Sequence, residues 1–233
     1  MDRKRVAGEK STEYIKDGMI LGLGTGSTAY YMIKKVGELI KNGMKIKAVA
    51  TSKSTESLAR ELKIPLLSID EVDRIDLAID GVDEIDNEFN AIKGGGGALF
   101  REKIVASLAN EVIWIMDESK LVNGIGEFPL PVEILPYGYK HVIKELQDYS
   151  LNPKIRMKEE EIFVTDNGNY IVDLHIGTPM NINDVYNKVN RITGVLETGL
   201  FINMCDRIII GTSSGTKIIN NSNSQNVKME QFR

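Results

Sequence analysis

Short apolar segments alternate with segments of helical spacing along the first half of the chain, and this alternation limits the possible folds more than any other feature. Apolar runs of strand length occur at Met19–Leu23, Ile46–Ala50, Leu77–Ile79 and Val112–Met116. Helical spacing occurs at Val6–Ile15, Thr28–Ile40, Thr55–Leu62 and Ala98–Leu108. Because strand and helix segments follow one another repeatedly, the pattern predicts a parallel sheet covered by helices.

The pattern changes after Gly126. The segment Phe128–Val132 opens a stretch of alternating segments, in which helices are predicted near Tyr139–Leu146 and Asn183–Thr193. Farther on, the apolar run Arg207–Thr212 predicts another buried parallel strand, which would return the chain to the first sheet.

We therefore predict an α/β fold with two domains. A discontinuous, Rossmann-like catalytic domain is expected from residues 1–127 and 204–233, and a smaller α+β insertion of ferredoxin-like type from residues 128–203. The polar tail from Asn220 to Ser224 is predicted to be loose and carries no recognisable functional signal.

Composition and charge narrow the class of protein. The chain of 233 residues has a net charge of -4 and no run of Lys or Arg of the kind that binds polyanions, so nucleic acid is not an expected partner. Cys205 is the single cysteine, which excludes an internal disulfide and a thiol-rich metal site and favours a reducing cytoplasm. No apolar run approaches the length of a membrane span, so no membrane contact is expected.

The first candidate site is the glycine-rich turn Gly22–Thr28, between a predicted strand and a predicted helix. Such a turn can be a tight connection alone, or its backbone N–H groups can approach a bound oxyanion. The hydroxyls of Thr25, Ser27 and Thr28 favour ligand binding. The turn is not a clean dinucleotide fingerprint, because its third glycine is displaced and Thr51 and Ser52 stand after the second strand in place of the acidic residue that binds the ribose. It is not a P-loop either, because the lysine of that motif is missing.

The second candidate is the acidic segment Asp80–Asp86, directly after the strand at Leu77–Ile79. An acidic turn is often only a solvated surface feature, but here it lies at the carboxyl edge of the predicted sheet, where open α/β folds bind ligands. Crowding also raises the pKa values of carboxylates, which acid–base catalysis requires. A metal site is the weaker interpretation, because Val82 breaks the calcium-loop pattern and no histidine is near.

Four consecutive glycines follow Lys93 and precede the helix at Ala98–Leu108. Their cost in backbone entropy indicates a close backbone approach to a ligand rather than a linker. The amides could stabilise a negative oxygen while Lys93 adds a positive charge. Glu102, one turn into the helix, could move a proton, although alone it would be taken for a surface residue.

One lysine is a further candidate, whereas the two histidines are not. Lys120 follows the strand ending at Met116 and is expected at the same edge as the three loops, where an anionic substrate needs a cation. The two histidines, His141 and His175, fall in the predicted insertion and are expected to be structural.

Five motifs occur in an order that is specific as a set although each is modest alone. They are Gly24–Thr28, Asp80–Glu84, Lys93–Gly97, Arg101–Lys103 and Phe128–Pro131. With them the chain, from about Lys4 to Thr212, resembles ribose-5-phosphate isomerases of type A. The resemblance implies reversible interconversion of D-ribose 5-phosphate and D-ribulose 5-phosphate through an enediolate, in the non-oxidative pentose phosphate pathway. It also implies a homodimer or homotetramer and no metal or organic cofactor.

The resemblance implies a role for each matching residue. Glu102 would carry the proton between C1 and C2, and Asp80 would assist ring opening. Asp83 and Lys93 would hold the reacting oxygens, and the backbone of Gly94–Gly96 would help to stabilise the enediolate. Further substrate contacts are implied for Lys4, Thr25, Gly26, Ser27, Thr28, Gly81, Val82 and Lys120. Of these, Lys120 and Lys4 would lie nearest the phosphate.

Related chemistry is compatible with the same arrangement of glycines and carboxylates. Amino-sugar-phosphate deaminases, lactonases and coenzyme A transferases share it, so fold alone does not determine the reaction. A deaminase would be expected to have a catalytic histidine near the acidic loop, whereas both histidines are predicted in the insertion. A non-catalytic sugar-phosphate sensor is disfavoured because too few residues precede the first strand for a helix-turn-helix module.

Overall fold

The computed structural model describes residues 2–222. The α-helices of that range are α1 (Arg3–Ser11), α2 (Ser27–Lys41), α3 (Lys53–Glu61), α4 (Leu99–Ser107), α5 (Tyr139–Asp148) and α6 (Ile182–Val189). The strands are β1 (Ile20–Leu23), β2 (Lys47–Ala50), β3 (Ile75–Gly81), β4 (Glu84–Ile85), β5 (Ala91–Ile92), β6 (Ala109–Asp117), β7 (Leu130–Ile134), β8 (Pro153–Ile155), β9 (Met157–Lys158), β10 (Glu161–Ile162), β11 (Tyr170–Leu174), β12 (Val195–Thr198), β13 (Leu200–Phe201), β14 (Arg207–Thr212) and β15 (Gly215–Asn220). Short 3₁₀ turns lie at Thr12–Tyr14, Ile69–Glu71 and Glu118–Lys120.

The chain forms two compact units. The first comprises the described parts of Met1–Val82, Arg101–Lys120 and Ile202–Arg233, and the second comprises Asp83–Phe100 and Leu121–Phe201.

This division differs from the predicted domains of residues 1–127 with 204–233 and of residues 128–203. Residues 83–100 and 121–127 belong to the second unit, because β5 pairs with both β4 and β13 and the Gly126 N–H donates to the Glu84 carboxylate at 2.7 Å. The assignment of catalysis to one domain remains a prediction.

The first unit is built on a six-stranded sheet in the order β15-β14-β6-β3-β1-β2. Five strands are parallel, and β15 is an antiparallel edge strand after β14. The predicted parallel, helix-covered sheet is therefore confirmed. From β1 the chain moves first to β2 on one side and then to β3 on the other, so the strand order reverses between β1 and β3. The carboxyl ends of these two strands form the crevice where open α/β sheets bind ligands.

Helix packing in the first unit follows from the apolar pattern of the sequence. In α2, the buried residues Ala29, Met32, Ile33 and Val36 repeat at helical spacing and join one core with strand residues such as Leu21. On α4, Val105 packs against Gly22 of β1 so closely that a β-carbon at Gly22 would collide with it. That glycine lets α4 approach the middle of the sheet.

The second unit contains the predicted ferredoxin-like arrangement. Its four-stranded antiparallel sheet runs β12-β7-β11-β8, with α5 after β7 and α6 after β11. The small sheet β13-β5-β4 and the hairpin of β9 and β10 complete the unit. On β7, Val132 pairs with Val172 while Glu133 pairs with Ile171, so Glu133 and Ile171 share the opposite sheet face from the two valines.

Several predicted boundaries needed correction. The first helix begins at Arg3 rather than Val6, because the Asp2 carboxylate accepts from the N–H groups of Lys4 and Arg5 and caps it there. Helix α6 ends at Val189 rather than at Thr193, because the next residues form i to i−3 bonds such as Ile192 N–H to the Val189 carbonyl at 3.2 Å.

The tail prediction was wrong at its start. Asn220 belongs to β15 and accepts from the Arg207 guanidinium at 2.7 Å, and the Asn221 amide donates to the Cys205 carbonyl at 2.9 Å. Asn223 and Ser224 lie outside the described residues.

Candidate functional site

Asp80 joins the carboxyl ends of β1 and β3 in the first unit. Its Oδ1 accepts from the N–H groups of Thr25 at 2.9 Å and Gly81 at 2.7 Å, and the residue is only 6% exposed. A β-carbon on Gly24 would collide with this carboxylate, so the glycine is needed for the close approach of the two strands. The acidic segment therefore begins with a buried, positioned carboxylate rather than with a solvated turn.

Hydroxyl groups that the sequence analysis did not propose as site residues hold the first glycine loop. Thr25 Oγ1 lies 2.7 Å from Thr51 Oγ1 and 2.8 Å from Ser52 Oγ, and Thr55 Oγ1 donates to the Gly24 carbonyl at 2.9 Å. The position of Thr51 and Ser52 directly after β2 was the available signal, because that strand ends at the same edge of the sheet.

The N-terminus of α2 brings together several of the predicted substrate-binding residues. Gly26 has φ of +109°, which a glycine adopts without strain, and it turns the chain into the helix at Ser27. Lys4 Nζ donates to Ser27 Oγ at 3.0 Å. Thr28 is buried in the first turn. These groups combine a cation, a hydroxyl and helix N–H groups, which suits a phosphate.

A cavity of about 720 Å³ adjoins this helix terminus and is lined by Lys4, Thr25, Gly26 and Ser27. Tyr30, Tyr31, Ser54 and Thr55 also line it and were missed from the sequence. Their helical spacing gave no signal of an open cavity, because aromatic residues on a helix usually belong to the core.

Lys120 and Lys4 share the electrostatic environment of Asp117, the last residue of β6. Burial raises the pKa of Asp117, but hydrogen bonds from Ser119 and the charges of Lys120 and Lys4 outweigh it and hold the pKa below its ordinary value. Lys120 ends the 3₁₀ turn Glu118–Lys120, which directly follows β6, so it lies at the carboxyl end of that strand.

Glu102 lies in the first turn of α4 and is 5% exposed. Val105, three residues later on the same helical face, packs against Gly22 of β1. Helix α4 begins near the carboxyl edge of the sheet, so Glu102 lies about one turn, roughly 5 Å, closer to that edge than Val105. The interpretation of Glu102 as a solvated surface residue is thus wrong.

In the second unit, the four-glycine loop is a structured turn. Gly94 and Gly97 have φ of +100° and +82°, and the Gly97 N–H donates to the Gly94 carbonyl at 2.9 Å. Gly95 and Gly96 are exposed at its tip. The Gly95 N–H donates to Asp83 Oδ2 at 2.7 Å, and a β-carbon on Gly95 would lie only 2.7 Å from Asp83 Oδ1.

Lys93 is 3% exposed, and its ammonium lies 5.3 Å from the centroid of the Phe201 ring. Its backbone N–H donates to the Gly199 carbonyl at 2.9 Å. A buried lysine is rarely retained for packing alone, because taking its charge out of water is costly.

The remaining acidic residues of the second motif are structural. Glu84 is buried and accepts from the N–H groups of Gly126 and Phe128, while Asp86 accepts from the backbone and amide of Asn90. Between these acids and Asp80, Gly81 ends β3, and the side chain of Val82 is buried.

Residues 2–222 contain neither a cluster of metal ligands nor a helix of membrane-spanning type. No group of three or more His, Cys, Asp or Glu residues there could hold a metal ion. No helix in the same residues is long and apolar enough to cross a membrane.

Comparisons with known proteins find similar proteins over most of the chain. The sequence model of the family described as ribose 5-phosphate isomerase A (phosphoriboisomerase A) matches residues 47–215. The ribose-5-phosphate isomerase A of Bacillus mycoides is 51% identical over 218 residues, which is 93% of this chain and 99% of that protein. That of Listeria monocytogenes serovar 1/2a is 47% identical over 216 residues, 92% of this chain and 96% of that protein.

Solved structures are similar over the same extent. The ribose 5-phosphate isomerase from Plasmodium falciparum superposes with a TM-score of 0.90 at 40% identity, covering 94% of this chain and 98% of that one. A D-ribose-5-phosphate isomerase in complex with phospho-erythronic acid superposes with a TM-score of 0.89 at 39% identity and covers the same fractions.

Proposed function

Since this chain belongs to the ribose 5-phosphate isomerase A family, we propose that it interconverts D-ribose 5-phosphate and D-ribulose 5-phosphate through an enediolate, with Glu102 as the base. The observation that carries the proposal is Glu102 itself. It is a buried carboxylate on the helical face that packs against β1, about one turn closer to the carboxyl edge of the first sheet than Val105. Moving a proton between adjacent carbons needs one base that reaches both, and a carboxylate can do so with a small movement.

Asp80 has the role of assisting ring opening in this proposal. The free sugar is mostly cyclic, so a group must move the proton between the ring oxygen and the anomeric hydroxyl before isomerisation. Two N–H groups, of Thr25 and Gly81, fix the Asp80 carboxylate at the strand ends. A carboxylate that is already positioned needs no reorganisation when it takes part in proton transfer.

The oxygens on C1 and C2 gain negative charge as the enediolate forms. We assign Asp83, Lys93 and the N–H groups of Gly94–Gly96 to these oxygens. The supporting observations are the buried charge of Lys93, the exposed tip of the glycine loop and the hydrogen bond that ties this loop to Asp83. Fixed N–H dipoles and a cation stabilise developing charge without reorganisation.

The phosphate is assigned to the N-terminus of α2. Lys4, Ser27 and Thr28 supply a cation, a hydroxyl and helix N–H groups there, and Lys120 adds a second cation whose charge acts on Asp117 together with that of Lys4. Thr25, Gly26, Gly81 and Val82 would complete the substrate contacts with backbone or hydroxyl groups.

We also propose a homodimer or homotetramer in the cytoplasm, on the basis of the family resemblance. Phospho-erythronic acid, bound by one similar protein, is proposed as an inhibitor here, because its carboxylate has the charge that the enediolate acquires.

One assay tests the function. The purified protein is incubated with ribose 5-phosphate after exhaustive treatment with a chelator, and ketose formation is followed. Steady formation of ribulose 5-phosphate is expected with chelator present. Absence of ketose in every buffer would refute the isomerase, whereas loss with chelator and recovery with a divalent ion would refute the metal-independent mechanism.

A further inference from the structure

An ion pair outside the assigned site contacts the four-glycine loop from within the second unit. Arg156 follows β8, and its guanidinium forms two hydrogen bonds to Asp173 of β11, from Nε at 2.9 Å and from Nη2 at 2.5 Å. The remaining terminal nitrogen, Nη1, donates to the carbonyls of Gly94 at 2.9 Å and Gly95 at 3.1 Å. One planar group thus joins the sheet to two successive peptides of the loop.

The surroundings of Arg156 leave its guanidinium little freedom. The Arg156 N–H donates to the Ile171 carbonyl at 2.8 Å, and the Arg156 carbonyl accepts from the Phe163 N–H at 2.9 Å. The side chains of Arg156 and Asp173 are only 15% and 19% exposed. The Phe163 ring lies 5.9 Å from the guanidinium carbon and is so close to Gly97 that a β-carbon there would collide with it.

The direction of the contact matters for the chemistry. In a trans peptide the C=O and N–H groups point in opposite directions. The peptide whose carbonyl is that of Gly94 carries the N–H of Gly95, which donates to Asp83 on the other side. The next peptide has the Gly95 carbonyl and the N–H of Gly96. A cation fixed on the two carbonyls therefore directs both N–H groups away from itself, and by polarising the peptides it strengthens them as donors.

We propose that Arg156, held by Asp173, is a positioning residue for the isomerisation: it fixes and polarises the glycine-loop peptides whose N–H groups face the enediolate and Asp83. This proposal rests on the function assigned to Gly94–Gly96 above. A partly buried ion pair contributes little net stability by itself, because the desolvation of both ions offsets their attraction. In this proposal the pair serves instead to align the peptide dipoles of the glycine loop.

The test compares Arg156→Lys and Asp173→Asn with the wild type. Lysine keeps the charge but cannot bind a carboxylate through two nitrogens and two carbonyls through a third. Asparagine keeps the size of Asp173 and removes its charge. Arg207→Lys is the matched control, because Arg207 is also a partly buried arginine paired with a carboxylate, that of Glu111 at 2.9 Å, at the start of β14 rather than at its carboxyl end.

Each variant is measured for kcat, KM and the inhibition constants of two compounds. Phospho-erythronate carries a carboxylate in place of the enediolate, and erythritol 4-phosphate has the same length with an uncharged CH₂OH group. For Arg156→Lys we expect kcat to fall about 10- to 100-fold, since small misplacements of catalytic groups have effects of this size. The inhibition constant of phospho-erythronate should rise by at least about tenfold, and the KM and the constant for erythritol 4-phosphate should change less than about threefold.

Asp173→Asn should show the same selectivity with a smaller effect, and Arg207→Lys should match the wild type. Thermal unfolding of every variant identifies any that do not fold, and the two substitutions give independent readings. Unchanged kcat in both folded variants, or equal weakening of the two inhibitors, would overturn the proposal and leave the pair a structural one. Failure of the isomerase function itself would show instead as an inactive wild type.

Discussion

Replacement of Glu102 by glutamine is the sharpest test of the proposed base. Glutamine keeps the length and shape of the side chain but is not a base at neutral pH. Glu102 is buried on α4, one turn before the contact of Val105 with Gly22, so a residue of the same size opens no cavity there. The fold and the proposed phosphate contacts at the N-terminus of α2 should therefore persist while proton transfer fails.

The size of the effect follows from what the buried carboxylate contributes. A positioned general base accelerates proton transfer by about 10²–10⁴, which corresponds to about 2.7–5.4 kcal/mol of transition-state stabilisation. Lys4 and Ser27, which we propose to bind the phosphate, lie on elements other than α4, so KM should change less than about threefold. The loss should thus appear in kcat.

The assay is the conversion of ribose 5-phosphate to ketose, with uptake of solvent deuterium at C1 or C2 as a second readout. Glu61→Gln, at an exposed position ending α3, is the control for removal of one carboxylate. Folding is checked by thermal unfolding. Near-normal turnover or deuterium uptake in a folded Glu102→Gln protein would refute the reasoning, and Asp80 and Asp83 would become the next candidates.

Three further outcomes are expected. Lys120→Ala should raise KM more than it lowers kcat, because a phosphate remote from the reacting carbons is held alike in ground and transition states; an unchanged KM in steady-state assays would remove Lys120 from the phosphate site. Gly24→Ala should lower kcat at least about tenfold, because the new β-carbon displaces the Asp80 carboxylate. The control is Gly43→Ala, where φ is +102° and no atom lies near the new β-carbon; this variant should retain turnover despite backbone strain. Equal kcat values in the two variants would contradict the prediction. The pKa of Asp117 is lowered in the folded state, so the contribution of this carboxylate to the free energy of unfolding is present above its ordinary pKa of 3.8 and is lost as pH falls through the lowered pKa. In urea unfolding, the stability difference between wild type and Asp117→Asn should therefore shrink on acidification from neutral pH. A difference that does not change with pH would refute this prediction.

The fold was largely predictable because its strands are short apolar runs with clear ends. β14 was predicted with its observed bounds, and β1 and β3 were recognised from the apolar runs Met19–Leu23 and Leu77–Ile79. The edge strand β15 was missed, because Gly215–Asn220 is polar and half exposed and its pairing with β14 supplies the order that its sequence does not indicate. Likewise, β4 and β5 have two residues each, too few for periodicity to be visible.

Candidate site residues could be recognised in the sequence where they stand beside a strand end or a glycine turn, and not where they contact a loop that is distant in sequence. Asp80 belongs to the first kind. Arg156 belongs to the second: it lies 62 residues after Gly94, in a segment without a motif. Neither its ion pair nor its hydrogen bonds to the loop could be inferred, because they depend on the register of β8 and β11.

The insertion, predicted as a small α+β domain of ferredoxin-like type, therefore contacts a loop that lies far from it in sequence. In a ferredoxin-like domain the two helices cover one face of the sheet, and other parts of the chain must cover the second face. Here Ile171, on that face, lies 3.6 Å from where a β-carbon of Gly97 would be, and Phe163 and Arg156 contact the same loop. A side chain at position 97 would displace the Phe163 ring, so packing within this unit by itself requires a glycine there. The four-glycine loop is held by two side chains of this unit: the Arg156 guanidinium donates to the carbonyls of Gly94 and Gly95, and the Phe163 ring packs against Gly97.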